Sequence, residues 1–272
     1  MVSTHDDVSQ YVRPPSLDDT RERLDEPAGR SLAGGTHLLA PSTSHPESAV
    51  VVDLQALPLG QLSATEGELT IGAMITLQTL VEGTSGLLAE AAQREAPRQV
   101  RQMATVGGTI AAAQPESELV TALLVLDARL HLADGYEVPL AEWMPEERRL
   151  ITRVVVPVST AGTGAARVAR TPADRPIVLV CALAGVEGDT LATLRLAASG
   201  VAARPVRLFD VEETLVGKTT AEVLEETASV VQWSIEPASD FRGSSEYRRV
   251  MAGVLARRAL AAALGEGASH GA

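Results

Sequence analysis

Two spacings alternate along this chain: short alternating or β-branched apolar runs, and stretches whose apolar residues return every three or four positions. Tyr11 to Pro15 reads as extended. Ser16 then predicts a helix to about Glu26, with Asp19 in the place of a capping-box acid. Arg30–Ala33 is a short strand and Ala49–Leu54 a second, β-branched one, with a loop from Pro41 to Pro46 between them. Together these form a small βα unit over residues 1 to about 58. Leu62–Ala64 and Leu69–Ile71 predict a hairpin around Glu66-Gly67. Thr76 caps a helix carrying Leu77, Leu80 and Val81, and a helix from near Ser85 to about Glu95 gathers Leu87, Leu88, Ala91 and Ala92 on one face. Pro115, with Glu116 and Glu118 behind it, opens a helix through Leu124, because proline and acids suit a first turn. Strands at about 128–133, 136–139 and 150–156 complete this region.

Ser159 to Gly164 reads as a flexible linker and a domain boundary. Strands follow at 165–169, 177–186 and 191–198, the last alternating clearly. Helices come after them, at about 208–215, 221–232 and 244–264. The last carries Val250, Met251, Val254, Leu255 and Leu264 on one side, with Arg248, Arg249, Arg257 and Arg258 elsewhere. A run of strands followed by a run of helices is an α+β layout.

Composition narrows the chemistry. The 272 residues suit roughly two domains. Aromatics are only 3%, so a flat ligand would meet mainly aliphatic side chains. A net charge of −12 argues against nucleic acid, which needs clustered Lys and Arg. The single cysteine, Cys181, sits in the apolar run Ile177–Leu183 and reads as a small buried hydrophobe. One cysteine excludes an internal disulfide, a Cys-based zinc site and a Cys-ligated iron–sulfur cluster within this chain. The polar, acidic start shows no signal peptide, and no apolar run approaches the ~20 residues of a membrane helix. A cytoplasmic protein without membrane insertion is expected.

Two stretches carry the candidate chemistry: Leu32-Ala33-Gly34-Gly35-Thr36-His37-Leu38-Leu39 and Thr105-Val106-Gly107-Gly108-Thr109-Ile110-Ala111. Paired glycines reach φ > 0, so consecutive N–H groups can converge on one point, and each stretch reads as running into a helix. The pair is expected to form two anion-binding nests clamping one diphosphate. The alternative for each is an ordinary tight turn. His37 reads equally as a phosphate donor or a solvent-facing loop residue. Glu118 reads as an acceptor for a ribose or pterin-like donor, or as an acid answering the helix dipole. No Ser/His/Asp set and no metal spacing appears, and His5, His37, His45, His131 and His270 are isolated.

These motifs, in their order, resemble the FAD-binding subunit of the molybdenum hydroxylases, the group of carbon monoxide dehydrogenase medium subunits and the flavin domain of xanthine dehydrogenase. Tyr11-x-Arg13-Pro14 resembles the family's opening, Ala33–Leu39 its first flavin loop and Leu69–Ala73 its "IGA" strand end. Thr105–Ile110 resembles the second flavin loop, continued by Pro115-x-x-Glu118 and Leu123-x-x-Leu126-x-Ala128. Leu150-Ile151-x-x-Val154-x-Val156-Pro157 is similar to the strand passing the flavin ring. Ala203-x-Pro205-Val206-Arg207, Glu213, Leu215-x-Gly217, Tyr247-Arg248 and Leu255-x-Arg257-Arg258-Ala259 resemble the C-terminal domain. The match covers nearly the whole chain.

The resemblance implies an FAD-binding domain over residues 1–158, in two parts (a small βα unit to about 58 and a larger α/β unit over 59–158). A C-terminal antiparallel sheet with helices would fill 165–265. It implies that Ala33, Gly34, Gly35, Thr36, His37 and Leu38 hold the FAD diphosphate from one side, and Thr105, Gly107, Gly108 and Thr109 from the other. Glu118, Ile151 and Arg167 would approach the flavin. It also implies partners: a large molybdopterin-binding subunit that oxidises substrate, and a small subunit whose [2Fe–2S] clusters pass electrons to FAD. The family usually has Asn at Thr109, Asp at Glu118 and a lysine in the stretch holding Arg167. The changes at Thr109 and Glu118 motivate a second reading, a flavin-free scaffold subunit of the same kind of complex. A stand-alone flavin oxidase is a third, weakened by the absence of an acid/base set.

Overall fold

A computed structural model describes residues 8–40, 49–145 and 149–265. The expected loop at 41–46 and the histidines at 5, 45 and 270 lie outside them. Three sheets follow one another along the chain. The first is parallel, with β1 (Val8–Val12) and β2 (Gly29–Leu32) flanking β3 (Ala49–Asp53). Helix α1 (Leu17–Asp25) connects β1 to β2, capped as expected by Ser16, whose hydroxyl oxygen accepts from the Asp19 N–H at 3.2 Å. As the middle strand, β3 is buried at all five positions. Its last residue, Asp53, anchors the chain's opening, accepting from the Tyr11 hydroxyl, from Arg13 Nε at 2.8 Å and from the Gln55 N–H at 2.9 Å. Burial pushes the Asp53 carboxyl up, but Tyr11, the Gln55 N–H and Arg13 outweigh it and hold its pKa below the ordinary value.

The second sheet takes the order β4 (Leu62–Ala64), β5 (Glu68–Gly72), β8 (Ile151–Pro157), β6 (Arg129–Leu132), β7 (Glu137–Pro139). Every pairing in it is antiparallel. Five helices are inserted between β5 and β6: α2 (Leu77–Gly83), α3 (Gly86–Glu95), α4 (Arg98–Arg101), α5 (Val106–Ala112) and α6 (Glu118–Val125). All eight residues of α6 are buried. Pro115 and Glu116 precede this helix instead of forming its first turn. Ser117 is the cap, its hydroxyl oxygen accepting from the Val120 N–H at 3.1 Å. Once a serine can satisfy a free N–H of the first turn, the helix starts behind it.

The third sheet is the antiparallel meander β12 (Val206–Arg207), β11 (Thr190–Ser199), β10 (Val178–Glu187), β9 (Gly162–Val168). Three helices follow its strands: α7 (Phe209–Leu215), α8 (Thr220–Ser234) and α9 (Ser245–Ala263). One expectation changes here. Gly162, Thr163 and Gly164, read as linker, belong to β9, where a Cβ on Gly164 would stand 2.2 Å from the Ala259 carbonyl oxygen. Glycine there lets α9 lie directly on the strand. For the same reason α9 buries small residues, Ala252, Gly253, Ala256, Ala259 and Ala263 with Leu255 and Leu260, while Val250 is exposed. Arg248 is buried too, donating at 2.7 Å to each of the Ile177 and Gly200 carbonyls.

The continuous apolar run of β10 has a direct cause. Leu179, Cys181 and Leu183 join the core of the preceding helices, whereas Val178, Val180, Ala182 and Ala184 face α7–α9. The strand is covered on both sides, so it cannot alternate with polar residues. Cys181 is buried in that seam, and burial, with the nearby Glu118 charge, pushes its thiol pKa up. A thiol reagent at neutral pH should therefore leave Cys181 unmodified in the native protein and label it fully once urea unfolds the chain, read by mass spectrometry. Cys181→Ser, which puts a hydroxyl in that position, should cost about 1–3 kcal/mol in denaturant unfolding.

Candidate functional site

The first glycine stretch leaves β2 and turns. Gly35 takes φ +71, and the chain closes a turn in which the Leu39 N–H donates to the Gly35 carbonyl at 2.9 Å and the Ala40 N–H to His37 at 3.1 Å. It does not open a helix. Among the described residues no acceptor meets the N–H groups of Gly34, Gly35, Thr36 or Leu38. This segment is a cradle of open donors, the chemistry expected of an anion nest.

The second stretch is built differently. Thr105 caps α5, accepting from the Gly108 N–H at 3.2 Å, and Gly107 and Gly108 lie within the helix's first turn. Neither has a positive φ. The Val106 N–H donates to Ile75 and the Gly107 N–H to Ala73, each at 2.9 Å, and the Thr109 N–H donates to Thr105 at 2.9 Å. The second nest is therefore not a nest: its donors are engaged within the protein. Its glycines serve close approach, since a Cβ on Gly107 would stand 2.7 Å from the Ala73 Cβ.

The two stretches nevertheless meet. A Cβ on Gly34 would lie 1.7 Å from the Met103 carbonyl oxygen, two residues before Thr105, and one on Gly108 would lie 3.8 Å from the Ala33 Cβ. His37 Nδ1 and Gln114 Nε2 approach to 3.5 Å across the join. Between the stretches opens a cleft of about 260 Å³. Of the residues singled out by sequence, Ala33, Gly34, Gly35, Thr36, His37, Leu38, Thr105, Gly107, Gly108 and Ile151 line it. Thr109, Glu118 and Arg167 do not. The Thr109 hydroxyl donates to the Thr105 carbonyl at 2.9 Å. Sequence reasoning did not select Leu54, Met74, Trp143 or Leu150, which complete the apolar wall around Ile151. Leu150 stood beside Ile151 in the flavin-strand motif; Trp143 carried no signal, as the chain's two tryptophans look alike in sequence.

Glu118 and Arg167 come together elsewhere, where α6 meets β9. Arg167 Nε lies 3.3 Å from Glu118 Oε1, without hydrogen-bond geometry, and Arg167 also donates to the Pro172 carbonyl at 3.1 Å and to that of Asp174. Glu118 is 3% exposed. Burial raises its pKa; Arg167 and Arg94 oppose this and Glu95 reinforces it. The Glu95 carboxyl is likewise raised by burial, although it accepts from the Leu119 N–H at 2.8 Å and the Ser117 hydroxyl at 3.0 Å. His131 lies on β6 with Nε2 3.3 Å from Glu137, and burial and Arg153 lower its pKa. Among the described residues no His/Cys/Asp/Glu group could hold a metal, and no helix is long and apolar enough to cross a membrane.

The described residues thus set a donor-lined cleft between a small parallel sheet and an inserted helical layer, followed by an antiparallel domain. The chain belongs to the molybdopterin dehydrogenase flavoprotein family: residues 6–159 match the FAD binding domain in molybdopterin dehydrogenase, and residues 166–263 the CO dehydrogenase flavoprotein C-terminal domain. It is similar to YgfM of Escherichia coli K12, 33% identical over 91% of this chain and 93% of that protein. It is also similar to the carbon monoxide dehydrogenase medium chain of Hydrogenophaga pseudoflava, at 30% identity over 85% and 88% of the two chains. A solved structure of the carbon monoxide dehydrogenase of H. pseudoflava, lacking the Mo-pyranopterin moiety, superposes with a TM-score of 0.84 at 27% identity, covering 95% of this chain and 98% of that one.

The buried Glu118 carboxyl yields a signed expectation. Its folded pKa is raised, so its contribution is fully present below the ordinary carboxyl range and is lost as pH rises through the raised value. Glu118→Gln has no such proton to lose. Its melting temperature relative to the parent should increase from about pH 4 to neutrality; a difference flat in pH would show that the carboxyl titrates normally.

Proposed function

We propose that the cleft holds FAD, with the diphosphate on the N–H groups of Gly34, Gly35, Thr36 and Leu38, and that this chain is the flavin-carrying subunit of a heteromeric molybdenum hydroxylase. The observation that carries the assignment is the set of open donors in that turn, which lines one cleft together with the other glycine stretch. Backbone donors suit the protein's charge, for they attract a diphosphate without the basic cluster that an acidic chain lacks. Thr105, Gly107 and Gly108 supply that wall by packing, and Thr109 acts behind it by tying the first turn of α5. Ile151, with Leu150, Met74 and Trp143, offers an apolar face to one ring system of the cofactor. The family resemblance puts Glu118 and Arg167 toward the flavin as well; they pair at the junction with the third sheet, outside the cleft lining.

When bound, FAD supplies the electron exchange itself, so the residues around it need only bind, orient and exclude water. The cleft lining fits that division: backbone donors, aliphatic walls, and no paired acid and base. We assign substrate oxidation to a large molybdopterin-binding subunit. A small [2Fe–2S] subunit would deliver the electrons, which leave FAD for an external acceptor. Support for separate cluster-bearing partners comes from Cys181, the chain's single cysteine, packed between two layers where it can ligate nothing. We place the complex in the cytoplasm.

The purified complex should carry about one FAD per copy of this chain. Gly35→Val, which forces a β-branched residue to φ > 0 at a cost of at least 1–2 kcal/mol, should empty the site. Gly108→Val should do the same by crowding Thr105 Oγ1, 2.9 Å from the new Cβ. Both variants should still assemble. Flavin absorbance and subunit content measured together decide the matter: FAD missing from the assembled parent complex would favour the scaffold reading.

A further inference from the structure

Aromatic side chains in this protein stand mostly outside the core. Of seven, Trp143 alone is buried, and all four in the third-sheet domain are exposed. One of those four lines a groove, and a second is the sequence neighbour of a lining residue. Phe209, half exposed at the start of α7, lines a cavity of about 510 Å³ together with Val206, Leu208, Val211 and Ile235. Trp233, 89% exposed, precedes the lining residue Ser234 in the last turn of α8. The cost of leaving such large apolar surfaces in water, in a chain with so few aromatics, marks this as a contact surface.

The groove also has a charge. Asp210 and Glu236 line it, both exposed, and among the described residues neither carboxylate meets a cation. The basic side chain present, Arg207, is committed elsewhere: to Glu212 at 2.8 and 2.9 Å, to Asp127 at 2.8 Å, and over the Phe209 ring at 4.9 Å. That stacking fixes the ring at the groove's edge, as a preformed anchor requires. An apolar slot with two unanswered carboxylates complements an apolar side chain flanked by positive charge.

We propose that this groove is a docking site for a partner subunit of the enzyme, through a segment presenting an apolar anchor between Lys or Arg residues. The inference rests on the reading of the chain as one subunit of a heteromer, and it adds the surface by which the subunit is held. Neither ring contributes to a core, so their removal leaves the fold intact.

The test co-expresses the full chain with its partner subunits and recovers the complex through a tag on this chain. Phe209→Ala/Trp233→Ala and, separately, Asp210→Lys/Glu236→Lys should each lower partner recovery at least ten-fold while leaving FAD content per chain at the parent's value. Recovery within two-fold of the parent in either double variant overturns the proposal. So does loss confined to self-association of this chain on gel filtration, which would assign the groove to a second copy. If the parent chain recovers no partner, the heteromer reading falls and the docking site with it. If partners bind the parent and both variants equally, only the docking site falls.

Discussion

The contact on which the site depends is backbone against backbone. Gly34 lies so close to the Met103 carbonyl that no side chain fits between, and Gly107 lies against Ala73 in the same manner. These approaches bring together three segments distant in sequence: the turn after β2, the end of β5 and the start of α5. A cleft whose walls are main chain has two properties at once. Its shape is set by hydrogen bonds such as the Val106 N–H to Ile75 and the Gly107 N–H to Ala73, and its donors are peptide groups that cannot be titrated away. The glycines are needed as much for what they omit as for the angles they allow.

A second constraint joins this unit to the third sheet. β10 contributes one face to each of two cores, so the halves of the chain share apolar surface and do not merely touch. Among the described residues, ion pairs across the junction share one polarity. Asp127 meets Arg195 and Arg207, Glu116 meets Arg175 and Arg242, and Glu118 meets Arg167, with the carboxylate always from the first half and the arginine from the second. Removing Arg167 would leave Glu118, 3% exposed, without its partner, the costly case for ion pairs at an interface. The arrangement favours one docking of the halves over others, and it holds the Glu118 region at a fixed place relative to the cleft.

What the sequence made legible follows from how local each signal is. Caps at Ser16, Thr76 and Ser244 act within three residues, and the corresponding helices start there. The hairpin at Glu66-Gly67 is similarly local. The four-residue α4 has no room for an apolar period, and the two-residue β12 none for alternation. Val250 is exposed although its size suggests burial, because α9 lies against glycine in β9 and the distance selects alanine. That distance is a property of the pair and is invisible in either segment alone.

The same limit explains the two glycine stretches. Their shared letters suggested a symmetric clamp, but a Gly-Gly-Thr does not determine its conformation. In the first, no cap precedes the glycines, Gly35 crosses to positive φ, and the donors stay open. In the second, Thr105 supplies a cap, helical geometry follows, and the carbonyls of Ala73 and Ile75 take up the donors. One residue before the motif thus decides whether its N–H groups face a ligand or the protein. An anion held here would depend asymmetrically on the two stretches: for its hydrogen bonds on the turn from Gly34 to Leu38, and for its walls on α5. A symmetric reading makes the two glycine pairs interchangeable. The asymmetric geometry makes the first indispensable for its backbone angles and the second for its small volume, and these are different demands on the same amino acid.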